Sequence, residues 1–124
     1  MNPDRSPAVL LAELAKEVTE LSEASEGFGR ARRTLARCQY VYEQAMAEKL
    51  IALRDETRES GERLPGEEMR RAICHSQMSD DERSNLLMSE AEVDALEKFI
   101  RVKTAVVSAL QSELSVLRTE FSQA

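Results

Sequence analysis

Apolar residues recur every seven positions along two long segments of this chain. Reading back from Phe121 in steps of seven meets only apolar residues as far as Leu86, and a neighbouring row is interrupted only at Ser89 and Lys103. Apolar residues at this interval place one face of an α-helix against another helix. The sequence therefore predicts a helix-packing seam whose members are Leu86, Val93, Leu96, Ile100, Val107, Leu110, Leu114, Leu117 and Phe121.

The N-terminal segment has the same period. A row of large residues runs from Leu14 to Tyr42, beside a row of small residues from Ala24 to Ala52. Large residues beside small ones allow a second helix to approach closely. The pattern predicts a helix over about 7–59, which Ser6 caps and Pro7 begins.

Two glycines lie within the predicted first helix. Gly27 and Gly29 each cost about 1 kcal/mol relative to Ala inside a helix, yet Phe28 between them stays in register. The segment predicts either a continuous helix, with a bend at 27–29, or a break there. A break would convert a helical hairpin into a three-helix arrangement.

The chain is predicted to reverse at residues 60–66. Gly61 can adopt a positive φ at the end of the first helix, and Pro65 cannot continue it. A second helix is expected over about 67–121, with a break near residue 79 as the alternative, because Ser79 and Glu82 match a capping box. The predicted fold is a single all-α domain, 1–124: a long antiparallel, coiled-coil-like hairpin or a three-helix arrangement, assembling into a helical-bundle oligomer.

The apolar stripe of the second helix is broad. Phe99 and Val106 flank Ile100 and Val107, and one partner helix would not cover them all. Part of the stripe is therefore expected to meet another copy of the chain. For Lys103, within the seam, we favour a side chain that snorkels to the edge over one that fixes the register of the helices.

Composition narrows the function classes. The chain has 124 residues, 42% hydrophobic and 32% charged, with a net charge of −6, which disfavours non-specific binding to duplex nucleic acid. The apolar run before Glu13 is too short for a signal peptide, and no stretch is long enough to span a membrane. We expect a cytoplasmic protein that does not contact membranes, with Cys38 and Cys74 as reduced core residues.

Candidate catalytic and metal-binding groups are sparse. Cys74 and His75 are adjacent, so they point in different directions on a helix, and no further ligand lies at a zinc-site spacing. The carboxylates at Asp80, Asp81 and Glu82 are explained by a helix start. No phosphate loop or nucleophile motif occurs. The sequence predicts no catalytic residue, no metal site and no cofactor.

Arginines form the most informative charge cluster. Arg30, Arg33 and Arg37 follow helical spacings of three and four, so one face could contact successive phosphates or an acidic protein surface. The many surrounding glutamates favour solvated or salt-bridged arginines instead. Nucleic acid is thus a candidate partner that the net charge does not favour.

The layout resembles that of small helical proteins of tailed bacteriophages whose genes often lie near recombination and replication genes. The resemblance is carried by "YEQA" from Tyr42, the Gly-containing turn, and "LQSEL" from Leu110, and covers about residues 10–118. It implies an accessory role in the cytoplasm of an infected or lysogenic bacterium. It supplies no catalytic residues.

These observations favour a non-enzymatic, self-associating interaction protein, with an accessory role in phage DNA recombination or replication implied by the resemblance. One alternative is an inhibitor that binds a host protein through an acidic surface formed by Glu90, Glu92, Asp94 and Glu97. Another is a scaffold or structural component of a virion.

Overall fold

The computed structural model describes residues 6–123, with the backbone alone at residue 123, and within them the fold is all-α. Helix α1 is Pro7–Ser60, α2 is Glu67–Gln77 and α3 is Asp80–Gln123. No strand occurs among the described residues. Residues 1–5 and 124, which the predicted domain includes, lie outside this description.

Helix α1 begins with the predicted cap. The Ser6 side-chain oxygen accepts a hydrogen bond from the amide of Val9 at 3.3 Å, and the Ser6 carbonyl accepts one from Leu10 at 3.0 Å. Pro7 has no amide hydrogen to satisfy at the first helical position. The prediction of a Ser-Pro helix start is confirmed.

Gly61 ends α1 with a φ of 73°, as the sequence predicted. This left-handed backbone is strained for residues with a Cβ, and glycine avoids that strain. Pro65 and Gly66 follow before α2, whose first turn carries Glu67 and Glu68. Negative charge there complements the partial positive charge at a helix N-terminus.

A capping box separates α2 from α3. The amide of Glu82 donates to the Ser79 hydroxyl at 3.2 Å, while the amide of Ser79 donates to the Glu82 carboxylate at 3.3 Å. Met78 at the end of α2 is extended, with a ψ of 153°, so the helices do not run together. The structure thus takes the alternative in which a short helix precedes a restart near residue 79.

Helix α1 continues through Gly27 and Gly29. Two compact units nevertheless divide the chain directly after these glycines. The first unit comprises the described residues of Met1–Arg30 and Val93–Ala124, and the second comprises Ala31–Glu92.

The first unit is an antiparallel pair formed by α1 and α3. Leu10 packs in one cluster with Leu110, Leu114 and Leu117, with Leu14 against it. Further along α1, Glu17 meets Lys103, which lies earlier in α3. Increasing residue numbers on α1 therefore meet decreasing numbers on α3, which is the orientation of a hairpin.

The second unit has its own small core. Met46 of α1 packs with Cys74 and Met78, and the three side chains are almost wholly buried. Tyr42 and Leu50 of α1 lie partly buried around them. Sulfur-containing side chains fill this core, since flexible or small residues adapt to the junction of α1 with a short helix.

The residues of the predicted seam differ in how deeply they are buried. Val107, Leu110, Leu114 and Leu117 are buried, and Leu86, Val93, Leu96 and Ile100 are half-buried. Phe121 departs from the seam, because 66% of it is exposed. Leu10, near the start of α1, already packs against residues 110–117, so α1 does not extend far enough to cover Phe121.

Candidate interaction surfaces

A partly buried ion cluster occupies the interruption of the seam in the first unit. The Lys103 ammonium donates to the Glu17 carboxylate at 2.6 Å and also to Glu20. Only 17% of the Lys103 side chain is exposed. Lys103 was expected to snorkel to the edge of the seam, but its ammonium instead joins α1 and α3 in an ion cluster.

The cluster changes the pKa of two of its members. Hydrogen bonds to Glu17 and then Glu20 raise the pKa of Lys103 above its ordinary value of 10.5. The hydrogen bond from Lys103 lowers the pKa of Glu20 below its ordinary value of 4.5, against a smaller opposing effect of burial. Both shifts favour the charged forms of Lys103 and Glu20.

The other interruption, Ser89, is also accommodated between helices. It is 8% exposed, and its hydroxyl lies 3.4 Å from the thiol of Cys38 on α1, within the second unit. Two small side chains with weak hydrogen-bonding capacity thus meet where a larger pair would separate the helices. This contact explains why a serine occupies a position in the otherwise apolar seam.

Cys74 and His75 point apart, as predicted. Cys74 is fully buried, whereas His75 is exposed and its Nδ1 lies 2.5 Å from the Tyr42 hydroxyl. Arg71, about one helical turn before His75, pairs with Glu43 at 3.3 Å. These contacts join α2 to α1. Among the described residues, no group of three or more His, Cys, Asp or Glu side chains is positioned to hold a metal ion.

The predicted arginine residues are exposed. Arg30 lies in the first unit, and Arg33 and Arg37 lie in the second. No ion pair engages these three within the described part of the chain. Arg37 also lines a cleft of about 190 Å³ with Cys38 and Val41, opposite the first turn of α3.

The predicted acidic surface is partly neutralised. In the first unit, Asp94 pairs with Lys98 at 2.9 Å and Glu97 pairs with Arg101 at 2.8 Å. Both pairs join residues one helical turn apart and are exposed. Such pairs contribute little stability, but they reduce the local negative charge that an acidic mimic would present.

An exposed apolar face is the most distinctive surface of the first unit. It lies on α3 beside the buried seam, and Phe99 and Val102 within it are 45% and 61% exposed. The Phe99 ring centroid is 5.5 Å from the Lys103 ammonium, at the edge of the ion cluster. We call this surface the outer row, and its members are Ala95, Phe99, Val102, Val106, Ala109 and Val116.

No family model, curated protein or solved structure matches this chain. Within the described residues, no helix combines the length and the apolar character needed to cross a membrane. The surfaces described above are therefore the basis for any functional argument.

Sequence reasoning found part of the outer row and missed the ion cluster. The breadth of the stripe pointed to Phe99 and Val106, and steps of seven through Val102 would have added Ala95, Ala109 and Val116. Pairing Lys103 with Glu17 and Glu20 required the register between α1 and α3. A lysine within the seam of α3, together with two glutamates on the facing helix, is a pattern that could have indicated this ion cluster.

Proposed function

We propose that this protein is a non-enzymatic helical interaction module that assembles through the outer row of α3. The observation that carries the proposal is an apolar row that stays exposed although the adjacent seam is already packed against α1. Exposed apolar faces of this kind are typical of protein contact sites. Burying them against a partner removes apolar surface from water.

The proposal is tested by placing charge on the outer row without disturbing the core. Val102→Asp with Val106→Asp changes two exposed or nearly exposed positions, whereas Val107 is buried and a charge there would unfold the chain. We expect the double variant to lose assembly in sedimentation velocity while its circular dichroism stays close to that of the native chain.

A matched control is Val9→Asp with Val18→Asp on α1. Both valines are exposed to a similar degree in the same unit but lie outside the outer row. We expect this control to assemble like the native chain. Equal loss of assembly in both double variants would contradict a specific role for the outer row.

Nucleic acid is the second candidate partner, supported by the exposure of Arg33 and Arg37 without an ion pair in the described residues. Such a contact would suit the accessory role in phage DNA metabolism that the sequence resemblance implies. Direct binding predicts salt-sensitive affinity for single-stranded DNA that Arg33→Glu with Arg37→Glu abolishes. Absence of binding at low salt would remove this candidate and leave the assembly proposal intact.

A further inference from the structure

The exposed side of α1 in the second unit carries a stripe of basic, aromatic and polar side chains. Arg33, Arg37, Tyr40 and Gln44 follow steps of four, three and four residues, so they lie on one face of the helix. All four are exposed. Met46, which packs in the core of the unit, lies on the opposite side of the helix. A partner can therefore reach the stripe without any change in the core.

The two arginines of this stripe lack carboxylate partners. On a helix, charges pair with residues three or four positions away, and no acidic residue lies between Glu26 and Glu43. Arg33 and Arg37 are themselves one turn apart, and two cations at this spacing repel one another. No ion pair relieves this repulsion within the described residues. An anionic ligand that contacts both guanidinium groups would relieve it.

The spacing of the arginines suits successive phosphates. Four residues at about 1.5 Å each separate them by roughly 6 Å along α1, which is comparable to the distance between neighbouring phosphates of an extended strand. Asp81 and Glu82 line the same cleft as Arg37, and their charge repels phosphates from that side. Because Arg33 and Arg37 follow one another along the helix axis, a strand that contacts both runs along that axis and next reaches Tyr40.

Tyr40 presents an aromatic ring one turn beyond the arginines. It is 64% exposed, and the Gln44 amide donates a hydrogen bond to its hydroxyl at 2.8 Å. This bond restrains the phenol, so less conformational entropy is lost when a ligand packs on the ring. Aromatic rings stack on unpaired bases, whereas the bases of a duplex are covered by their neighbours. An acidic peptide would pair with the arginines but would have no base to stack on the ring.

We infer that a single-stranded nucleic acid binds along this stripe, with successive phosphates on Arg33 and Arg37 and the adjoining base stacked on Tyr40. The inference rests on nucleic acid as the second candidate partner proposed above, and it adds the residue that contacts a base. It does not depend on assembly through the outer row.

A deoxythymidine oligomer and an abasic oligomer with the same number of phosphates test the role of Tyr40. We expect the native chain to bind the deoxythymidine oligomer roughly tenfold more tightly in fluorescence anisotropy at low salt, since stacking of one base has an effect of this size. Tyr40→Leu should remove this preference without changing the affinity for the abasic oligomer. Tyr40→Phe should keep most of the preference, because the ring remains.

Salt dependence tests the arginines separately. Arg33→Gln with Arg37→Gln should lower the slope of log affinity against log salt concentration by roughly 1.4, since each phosphate contact on a single strand contributes about 0.7. Tyr40→Leu should leave the slope unchanged. Arg54→Gln with Arg58→Gln is the matched control, because it changes two exposed arginines at the same spacing on α1 in the same unit. Circular dichroism checks that each variant remains folded.

The outcomes separate this inference from the proposed nucleic-acid contact. Equal binding of both oligomers that Arg33→Gln with Arg37→Gln abolishes overturns stacking on Tyr40 and leaves the contact of the arginines with phosphates standing. Polyglutamate that binds as tightly as the deoxythymidine oligomer overturns the inference in favour of an acidic protein partner. Equal loss of slope in the two arginine double variants, or absence of binding to either oligomer, overturns both. A preference for the deoxythymidine oligomer that Tyr40→Leu removes and Tyr40→Phe keeps supports the inference.

Discussion

Lys103 is the cation at the centre of the ion cluster in the first unit. In sequence it interrupts an apolar row, but in the first unit it lies between two carboxylates of α1. A partly buried cation without those partners would lose some of its hydration with nothing to replace it. The ion cluster therefore specifies which turn of α1 faces Lys103, in addition to any stability that it provides.

Replacing Lys103 with Met should destabilise the chain at neutral pH, because Glu17 and Glu20 would remain close together without their cation. The pKa of Glu20 is below 4.5, so the contribution of its bond is present above 4.5 and lost as pH falls through the lowered value. The pKa of Lys103 is above 10.5, so its contribution is complete below 10.5 and lost as pH rises through the raised value.

Urea unfolding of the native chain and Lys103→Met across this range measures the effect. We expect the difference in unfolding free energy to be largest near neutral pH and to shrink below pH 4.5. Lys98→Met is the control, because its ion pair is exposed and should contribute little. A difference for Lys103→Met that does not depend on pH would contradict the ion-cluster account.

Met46 is one of three buried residues in the core of the second unit. It is 2% exposed and packs against Cys74 and Met78. Met46→Ala should cost about 2–5 kcal/mol of unfolding free energy, measured by urea denaturation, because it leaves a cavity in a small core. Met88→Ala changes the same residue type at a 70% exposed position and should stay within about 0.5 kcal/mol of native. Similar losses in both variants would show that Met46 is not a core residue.

At the scale of the elements, the helix ends were the most predictable features. Ser6 and Pro7 at the start of α1, Gly61 at its end, and the capping box of α3 act through local backbone chemistry, so a few adjacent letters are sufficient. The sequence did not decide whether α1 continues through Gly27 and Gly29. The low helix propensity of glycine favoured a break, whereas Phe28, which stays in register with the apolar row, favoured a continuous helix. Helix α1 is continuous there despite a cost of about 1 kcal/mol per glycine.

The capping box predicts a measurable contribution from Ser79. Ser79→Ala removes the hydroxyl that accepts from the Glu82 amide, and should cost about 1 kcal/mol in urea unfolding. Ser84→Ala, at an exposed position inside α3, should stay within about 0.5 kcal/mol of native. Equal effects of the two substitutions would mean that the cap does not stabilise the α2–α3 junction.

At the scale of the whole molecule, the seam residues were predictable but their partners were not. Val107, Leu110, Leu114 and Leu117 are buried as heptad spacing implies, whereas Phe121 is left uncovered because of where α1 begins. The contacts of Lys103 and of Ser89 depend on the pairing of residues far apart in sequence. Periodicity identifies the face of a helix, and only the folded chain shows what covers it.

The small cores of the two units leave much of the apolar surface of the chain for contacts with other molecules. In the first unit part of that surface forms the outer row, beside a seam that α1 already occupies. An internal hairpin and an external contact can thus coexist on α3. Assembly through the outer row would not require the hairpin to open.

Light scattering of the native chain over a concentration series measures whether the chain assembles. If the chain assembles through the outer row, we expect the mean mass to rise reversibly above that of one chain as concentration increases. A single-chain mass at every concentration would contradict it, because the outer row would then be exposed without pairing.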